Sequence, residues 1–423
     1  MIKDFLEFLD VSYTAYQAVE NLKGILLENG FVQLSEGQKW EIKANSSYFV
    51  IRDGSSLIAF KTGQLTNYAF NIVAGHTDSP CLRIKNNSVV YTENYAKLNV
   101  ETYGGGLYYT MLDRPLKIAG RVIIKEGNYL KSISAISDFY VTIPSLAIHI
   151  NREANEKFAL NPQTDLMPLI GIGKNFDLIK TLVGDVQAID YDLFIVPASK
   201  PYTFGINNEF MASPRLDDLA GAYGGIMSLI DSNPNSLAVC ACFDNEEIGS
   251  STKQGAGSTF LKDVLKTVNY SLKKDKLDFK NAVNNGFMVS LDNAHAVHPN
   301  FESKSDPTNR CLIGKGIAVK HHAGFSYMTD SFSSAVFKEI MQKADVPYQD
   351  FYNRSDARSG STLGAISNRQ ISIRTVDVGI PQLAMHSFCE TMGAFDMEML
   401  SKALTAFYNT KIKAVSYDKL SVE

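Results

Sequence analysis

Tyr68-Ala-Phe-Asn-Ile-Val-Ala-Gly-His-Thr-Asp78 is a near-continuous apolar run that ends in a polar triplet. Apolar residues without alternation are the pattern of a strand buried on both faces, as in a parallel sheet. Such a strand delivers His76, Thr77 and Asp78 at its carboxyl end, where open α/β sheets build their sites. Three later stretches repeat the arrangement. Leu237-Ala-Val-Cys-Ala-Cys-Phe243 precedes Asp244-Asn-Glu-Glu247, Gly286-Phe-Met-Val-Ser-Leu291 precedes Asp292, and Ile371-Ser-Ile-Arg-Thr-Val-Asp-Val378 runs ahead of His386. Four strand ends therefore carry the polar chemistry, and the fold class is α/β.

Outward from these strands, Ser47–Arg52 and Ser56–Phe60 flank Asp53-Gly54, a hairpin signal that makes this edge of the sheet antiparallel. Helical spacing through Ala15–Leu26, stopped by Asn29-Gly30, predicts an N-terminal helix. Small residues from Ala220 to Ile230 predict another, entered through Ser213-Pro-Arg-Leu-Asp-Asp218. Between Glu93 and Ile206 short alternating runs such as Gly120-Arg-Val-Ile-Ile-Lys125 replace the long helical periods, so this segment reads as a β-rich insertion. Ser271–Lys280 reads as a solvated surface stretch.

At 423 residues the chain exceeds one usual hydrophobic core, which predicts two domains or one domain with a large insertion. A net charge of -4 gives no general electrostatic pull toward nucleic acid or an anionic membrane. No apolar run approaches the ~18 residues of a membrane span, and the acidic start Met1-Ile-Lys-Asp-Phe-Leu-Glu is unlike a signal peptide, so a cytoplasmic location is expected. The 5 cysteines lack the paired spacing of a zinc site or disulfide framework and read as reduced core residues. Cys240 and Cys242 should share one face of their strand.

A pair of divalent ions asks for a few nitrogen ligands, several carboxylates and one free carboxylate to take a proton. His76, Asp217, Glu247, Asp292 and His386 offer two imidazoles and three carboxylates. With a bridging hydroxide, the negative charge matches two divalent ions. An isolated His-x-Asp equally fits a hydrogen-bonded structural pair; here Asp78 can also orient the His76 imidazole. Consecutive residues leaving a strand point in different directions, so Glu247 can bind metal while Glu246 faces the attacking water; a solvated acidic turn is the plainer alternative. Asp217 fits both a bridging carboxylate and a helix N-cap. His295 and His298 follow Asp292 at a spacing found in metal sites and in structural loops alike; His298 is assigned to the substrate pocket.

The chain resembles the M18 metallopeptidases, the aspartyl aminopeptidase family, through an ordered set of motifs. These are Ala74-Gly-His-Thr-Asp-Ser-Pro80, Ser213-Pro-Arg-Leu-Asp217, Phe243-Asp-Asn-Glu-Glu-Ile-Gly-Ser250, Asp292-Asn-Ala-His-Ala-Val-His-Pro-Asn300, Gly360-Ser-Thr-Leu-Gly364 and Val376-Asp-Val-Gly-Ile-Pro-Gln-Leu-Ala-Met-His-Ser387. The resemblance implies a zinc-peptidase catalytic domain with a mixed sheet in three αβα layers, formed by residues 1–92 and 207–423, and an inserted dimerisation domain at 93–206. It implies two divalent ions, zinc first with manganese or cobalt admissible. Asp217 would bridge them, His76 and Asp292 would complete one site and Glu247 and His386 the other, with Glu246 as base. Peptides with a free N-terminus are the implied substrates, and a homo-oligomer built from dimers, up to a closed dodecamer, the implied assembly.

Pro144-Ser-Leu-Ala-Ile-His149 matches a motif whose histidine reaches a neighbouring subunit's site; read alone, His149 is a buried strand histidine. Lys320 and Tyr327 match a lysine and tyrosine of the substrate pocket, which favours an acidic N-terminal side chain. Phe325-Ser326 and His321-His322 depart from the acidic-specific pattern, and a surface charge is the plain alternative for Lys320. Ser12-Tyr-Thr-Ala-Tyr-Gln-Ala18 departs from it as well. A neutral-residue aminopeptidase, a deacylase or carboxypeptidase on the same fold, and an inactive assembly protein are the competing readings.

Overall fold

The computed structural model describes residues 1–65 and 67–423. A nine-stranded mixed sheet runs in the order Val32–Leu34, Ser46–Arg52, Ser56–Thr62, Leu237–Phe243, Phe70–His76, Phe287–Leu291, Arg374–Gly379, Ile317–His321, Tyr348–Tyr352. Its four central strands, from Leu237–Phe243 to Arg374–Gly379, are mutually parallel. Register pairs His76 with Phe243 and Leu291 with Val378, so the four polar segments leave the sheet at one edge. The Asp53-Gly54 hairpin forms as expected, with Ser46–Arg52 antiparallel to Ser56–Thr62 and both turn residues at positive φ.

Alternate residues of the central strands feed two cores. Val73, Cys240, Cys242 and Val289 pack beneath Phe5, Leu22, Ile226, Phe337 and Phe407 from helices on one face. Ile72, Val239, Ala241 and Met288 meet Phe260, Val264, Leu265 and Ala282 from helices on the other. Full burial of both faces is the reason these strands lack polar alternation. Cys240 and Cys242 share a face as the strand period requires, with their sulfurs 3.9 Å apart. All five cysteines are free, and only Cys389 is incompletely buried.

Two element boundaries differ from the sequence expectation. The N-terminal helix is two helices, Ile2–Val11 and Ala15–Glu28, broken where the buried Ser12 hydroxyl accepts from Asn21 Nδ2 at 3.0 Å. The last parallel strand starts at Arg374, because Asn368 Nδ2 captures the Ile373 carbonyl at 2.8 Å and removes it from the ladder. Ser271–Lys280 is surface as expected, although its second half enters the helix Lys276–Asn284 through an Asp275/Asp278 capping box.

A six-stranded antiparallel sheet runs Tyr129–Ile136, Leu116–Glu126, Ala188–Pro197, Cys81–Thr92, Tyr95–Tyr103, Leu169–Ile172, around its own core of Leu82, Leu98, Ile118, Val122 and Leu193. A five-stranded sheet, Tyr202–Phe204, Phe210–Ser213, Glu390–Gly393, Pro381–Leu383, Ala294–His295, adjoins the functional edge of the large sheet. Gln17 of the second helix links the large and the antiparallel sheets, donating to Gly120 O and Ser134 Oγ, each at 2.9 Å. No helix among the described residues is long and apolar enough to cross a membrane.

Candidate metal centre

His76 is the last residue of its strand, fully enclosed, with its backbone N–H donating to Asp218 Oδ2 at 3.2 Å. Its Nδ1 lies 3.0 Å from the Asp78 carbonyl, which leaves Nε2 facing Asp217 Oδ1 at 3.5 Å. The carbonyl, rather than the Asp78 carboxylate at 3.5 Å, is thus the nearer partner of the ring. The Asp78 carboxylate accepts from the backbone N–H groups of Glu246 at 3.0 Å and Glu247 at 3.2 Å, and from the Tyr103 hydroxyl at 2.7 Å. One aspartate therefore fixes two strand ends against each other.

Asp217 enters the helix Leu216–Asp231 in a non-helical conformation, with no capping bond from its side chain. Of the two alternatives open in the sequence, the cap falls to its neighbour: Asp218 Oδ1 accepts from Gly221 N at 3.2 Å. The second oxygen of Asp217 lies 3.4 Å from His386 Nε2, and Glu247 Oε1 lies 3.4 Å from the same nitrogen. His386 Nδ1 in turn lies 3.0 Å from the Gly105 carbonyl. Two groups with atoms close enough to share an ion result, His76–Asp217–Asp292 and Asp217–Glu247–His386.

The donor set fits a pair of divalent cations. Asp217 Oδ1 and Glu247 Oε1 are both buried with no hydrogen-bond partner, an arrangement that costs free energy unless a cation satisfies it. Burial raises Glu246 to about 7; His76 opposes the rise, and Asp292, Asp78 and Asp217 add to it. Burial likewise raises Glu247 and Asp292, helped in both by the charge of Asp217. Burial would also raise Asp217, but bonds from His386 and His76 outweigh it and hold that carboxyl below the usual range. His386 is pushed up to about 10, because Asp217 and Glu247 overcome its burial. A crowd of buried acids balanced by only two imidazoles is the electrostatic condition that bound cations relieve.

Glu246, Asp217, Asp292 and His386 line one cavity of about 300 Å³ together with Lys320, Tyr327, Phe351 and His295. Lys320 is buried rather than a surface charge. His298 lies outside this cavity and lines a neighbouring one, its Nδ1 accepting from Asn300 N at 3.2 Å. His149 is not a buried strand histidine: it is exposed in a turn at the end of the segment 144–149, away from these residues of its own chain. The alternating pattern that suggested a strand there instead leaves Leu146, Ile148 and Ile150 on the surface.

Sequence reasoning missed Glu390, Asp218 and His295. Glu390 is buried and accepts from Asp217 N at 3.0 Å and His386 N at 2.7 Å, so it holds two of the candidate ligands by their backbones. Burial and the charge of Asp217 raise it to about 8. Its position, four residues after His386, carries no periodic signal. His295 was legible as half of the His295/His298 pair, and the strand alternation of Ala294–His295 decides that it is the one facing the cavity.

Comparison with known proteins bears on the same residues. The family described as aminopeptidase I zinc metalloprotease (M18) matches residues 8–408. A probable M18 family aminopeptidase 2 of Clostridium acetobutylicum is 44% identical over 424 residues, covering 96% of this chain and 98% of that one. Among solved structures, a chain of the cryo-electron-microscopy Ape4 and Nbr1 complex superposes with a TM-score of 0.93 at 36% identity, over 96% of this chain and 85% of that one. The S. cerevisiae mApe1 dodecamer superposes with a TM-score of 0.82 at 25% identity, covering 96% of each chain. With its strand ends, its pair of His–carboxylate clusters and its whole length accounted for in this way, the chain belongs to the M18 family of zinc metallo-aminopeptidases.

Proposed function

We propose that the protein is a two-metal aminopeptidase that removes the N-terminal residue from peptides, with His76 and Asp292 holding one ion, Glu247 and His386 the other, and Asp217 between them. The observation that carries this reading is the Asp217 carboxylate, whose oxygens face an imidazole on either side, Nε2 of His76 at 3.5 Å and Nε2 of His386 at 3.4 Å. The ions, when bound, supply Lewis acidity for the scissile carbonyl and for the attacking water. Zinc is the family's metal, and a donor set with three carboxylates also admits manganese or cobalt.

Glu246 is the general base. Its carboxylate opens into the cavity, lies outside both metal-binding groups, and has its backbone pinned by Asp78. It takes the water's proton at a carboxylate oxygen and returns a proton to the leaving amine. Asp78 positions rather than reacts. The acids that line the cavity suit a substrate's α-ammonium group, which favours a free N-terminus over an acylated one. Residues 1–92 and 207–423 would form the three-layer catalytic unit. Sheet membership extends the insertion back from residue 93 to Cys81, because Cys81–Thr92 pairs within the antiparallel sheet. We assign dimerisation to that sheet, and to His149 a role in a neighbouring subunit's site; the mApe1 dodecamer is the precedent for assembly in this fold.

Glu246→Gln tests the base. Turnover of aminoacyl-p-nitroanilides should fall by roughly 10²–10⁴-fold while divalent-ion affinity stays near wild type. Unchanged turnover would remove Glu246 from the mechanism, and preferential hydrolysis of N-acylated substrates by the wild type would replace the aminopeptidase by a deacylase. The resemblance assigns acidic preference to Lys320, and the alternative of a neutral N-terminal residue stands beside it, because the contacts of Lys320 favour a different role.

A further inference from the structure

Lys320 is the one lysine in the metal-lined cavity, and its ammonium has no donor to spare. Nζ bonds Asp292 Oδ2 at 3.1 Å, the Asp292 carbonyl at 3.1 Å and the Asn293 carbonyl at 3.0 Å. An ammonium has three N–H donors, and all three are directed at acceptors. Nζ also sits 4.9 Å from the centre of the Tyr327 ring, which covers it from another side. A substrate carboxylate could reach this charge only by displacing Asp292, itself a candidate metal ligand. Removing one partner of a buried ion pair is costly, so the exchange is unfavourable.

His295 stands in the opposite condition. It lies on the strand Ala294–His295, where Ala294 is turned into the core and His295 is turned outward, into the same cavity. Its ring packs 6.3 Å from Phe351 and makes no hydrogen bond among the described residues. Burial and the nearby Lys320 charge lower its affinity for a proton, with His386 adding to them against the pull of Asp217, so it stands as a neutral imidazole at pH 7. A neutral imidazole offers one N–H to an acceptor and does not discriminate a carboxylate from an amide by charge.

The geometry points to a division of roles: Lys320 is a positioning residue that clamps Asp292, and His295 is the group that reads the N-terminal side chain. Resting on the aminopeptidase reading above, this defines the substrate class as peptides whose first side chain carries a hydrogen-bond acceptor, charged or not.

The test uses the full-length protein with Asp-, Asn- and Leu-p-nitroanilide, together with calorimetric titration of Zn²⁺ into chelator-stripped protein. Wild type should cleave Asp and Asn substrates within about tenfold of each other in kcat/KM. Lys320→Met should weaken Zn²⁺ binding by about tenfold or more and lower kcat for all three substrates by a common factor. His295→Leu should lower kcat/KM for Asp and Asn relative to Leu by about tenfold, chiefly through KM, and His295→Gln, which keeps a donor, should recover part of that loss. The division is overturned if Lys320→Met loses the Asp substrate selectively with Zn²⁺ affinity intact, or if wild type prefers Asp over Asn by about a hundredfold. A wild type that cleaves none of the three sinks the aminopeptidase reading instead, and the titration still decides the role of Lys320.

Discussion

Asp217, Asp78 and Glu390 are three buried acids with three different tasks, and their surroundings assign them. Asp217 offers both oxygens to the site, Asp78 gives both to backbone N–H groups of Glu246 and Glu247, and Glu390 spends its carboxylate on the backbones of Asp217 and His386. Glu390→Gln would turn an amide group toward one of those N–H donors. We expect divalent-ion affinity to drop by about tenfold, read by calorimetry, with the fold retained. Such a residue is silent in sequence, since a lone glutamate after a histidine has no distinguishing pattern. The candidate ligands were legible because each follows a buried strand; Glu390 acts through main-chain groups, and only the packed structure shows which N–H groups lack partners. His149 marks the same limit, its short apolar run being equally suited to a strand or to an exposed turn.

At the level of elements, the parallel register of the four central strands is what collects the site. His76 is level with Phe243 and Leu291 with Val378, so polar residues that follow each strand meet without any long loop to place them. This arrangement was readable, because apolar runs without alternation signal strands buried on both faces. The ends of those strands approach closely: a Cβ at Gly379 would lie 2.0 Å from the Asp292 carbonyl oxygen. Gly379→Ala should therefore lower thermal stability and divalent-ion affinity together. Gly24, within the helix Ala15–Glu28, has nothing within 4 Å of its would-be Cβ. Gly24→Ala should stabilise by about 0.5–1 kcal/mol in denaturant melts. Helix breaks were less readable than strands, since the Ser12 and Asn368 bonds that set boundaries join residues several positions apart.

Across the whole molecule, the antiparallel sheet carries the largest share of exposed apolar side chains, among them Tyr129, Leu130, Tyr140, Leu146, Ile150 and Ile172. A second copy covering them follows from the dimerisation proposal, and light scattering of the purified protein should give a multiple of the subunit mass of 46.7 kDa. If His149 serves a neighbour's site, co-assembly of His149→Ala and Glu246→Gln chains should restore activity that neither homo-oligomer has. Assembly was not legible from composition; it entered through resemblance, because exposed apolar residues are recognised only once a surface exists. The main-chain clasp between the two sheets has a further consequence. Gly105 O faces His386 Nδ1 at 3.0 Å, Leu107 N donates to His386 O at 2.9 Å, and Phe388 N donates to Thr110 Oγ1 at 3.0 Å. A ligand stitched in this way to a neighbouring unit ties two equilibria into one thermodynamic cycle. Whatever free energy subunit contact lends to the cation at His386, the cation must lend back to subunit contact in equal measure, so that metal starvation would loosen the oligomer and dilution would shed metal.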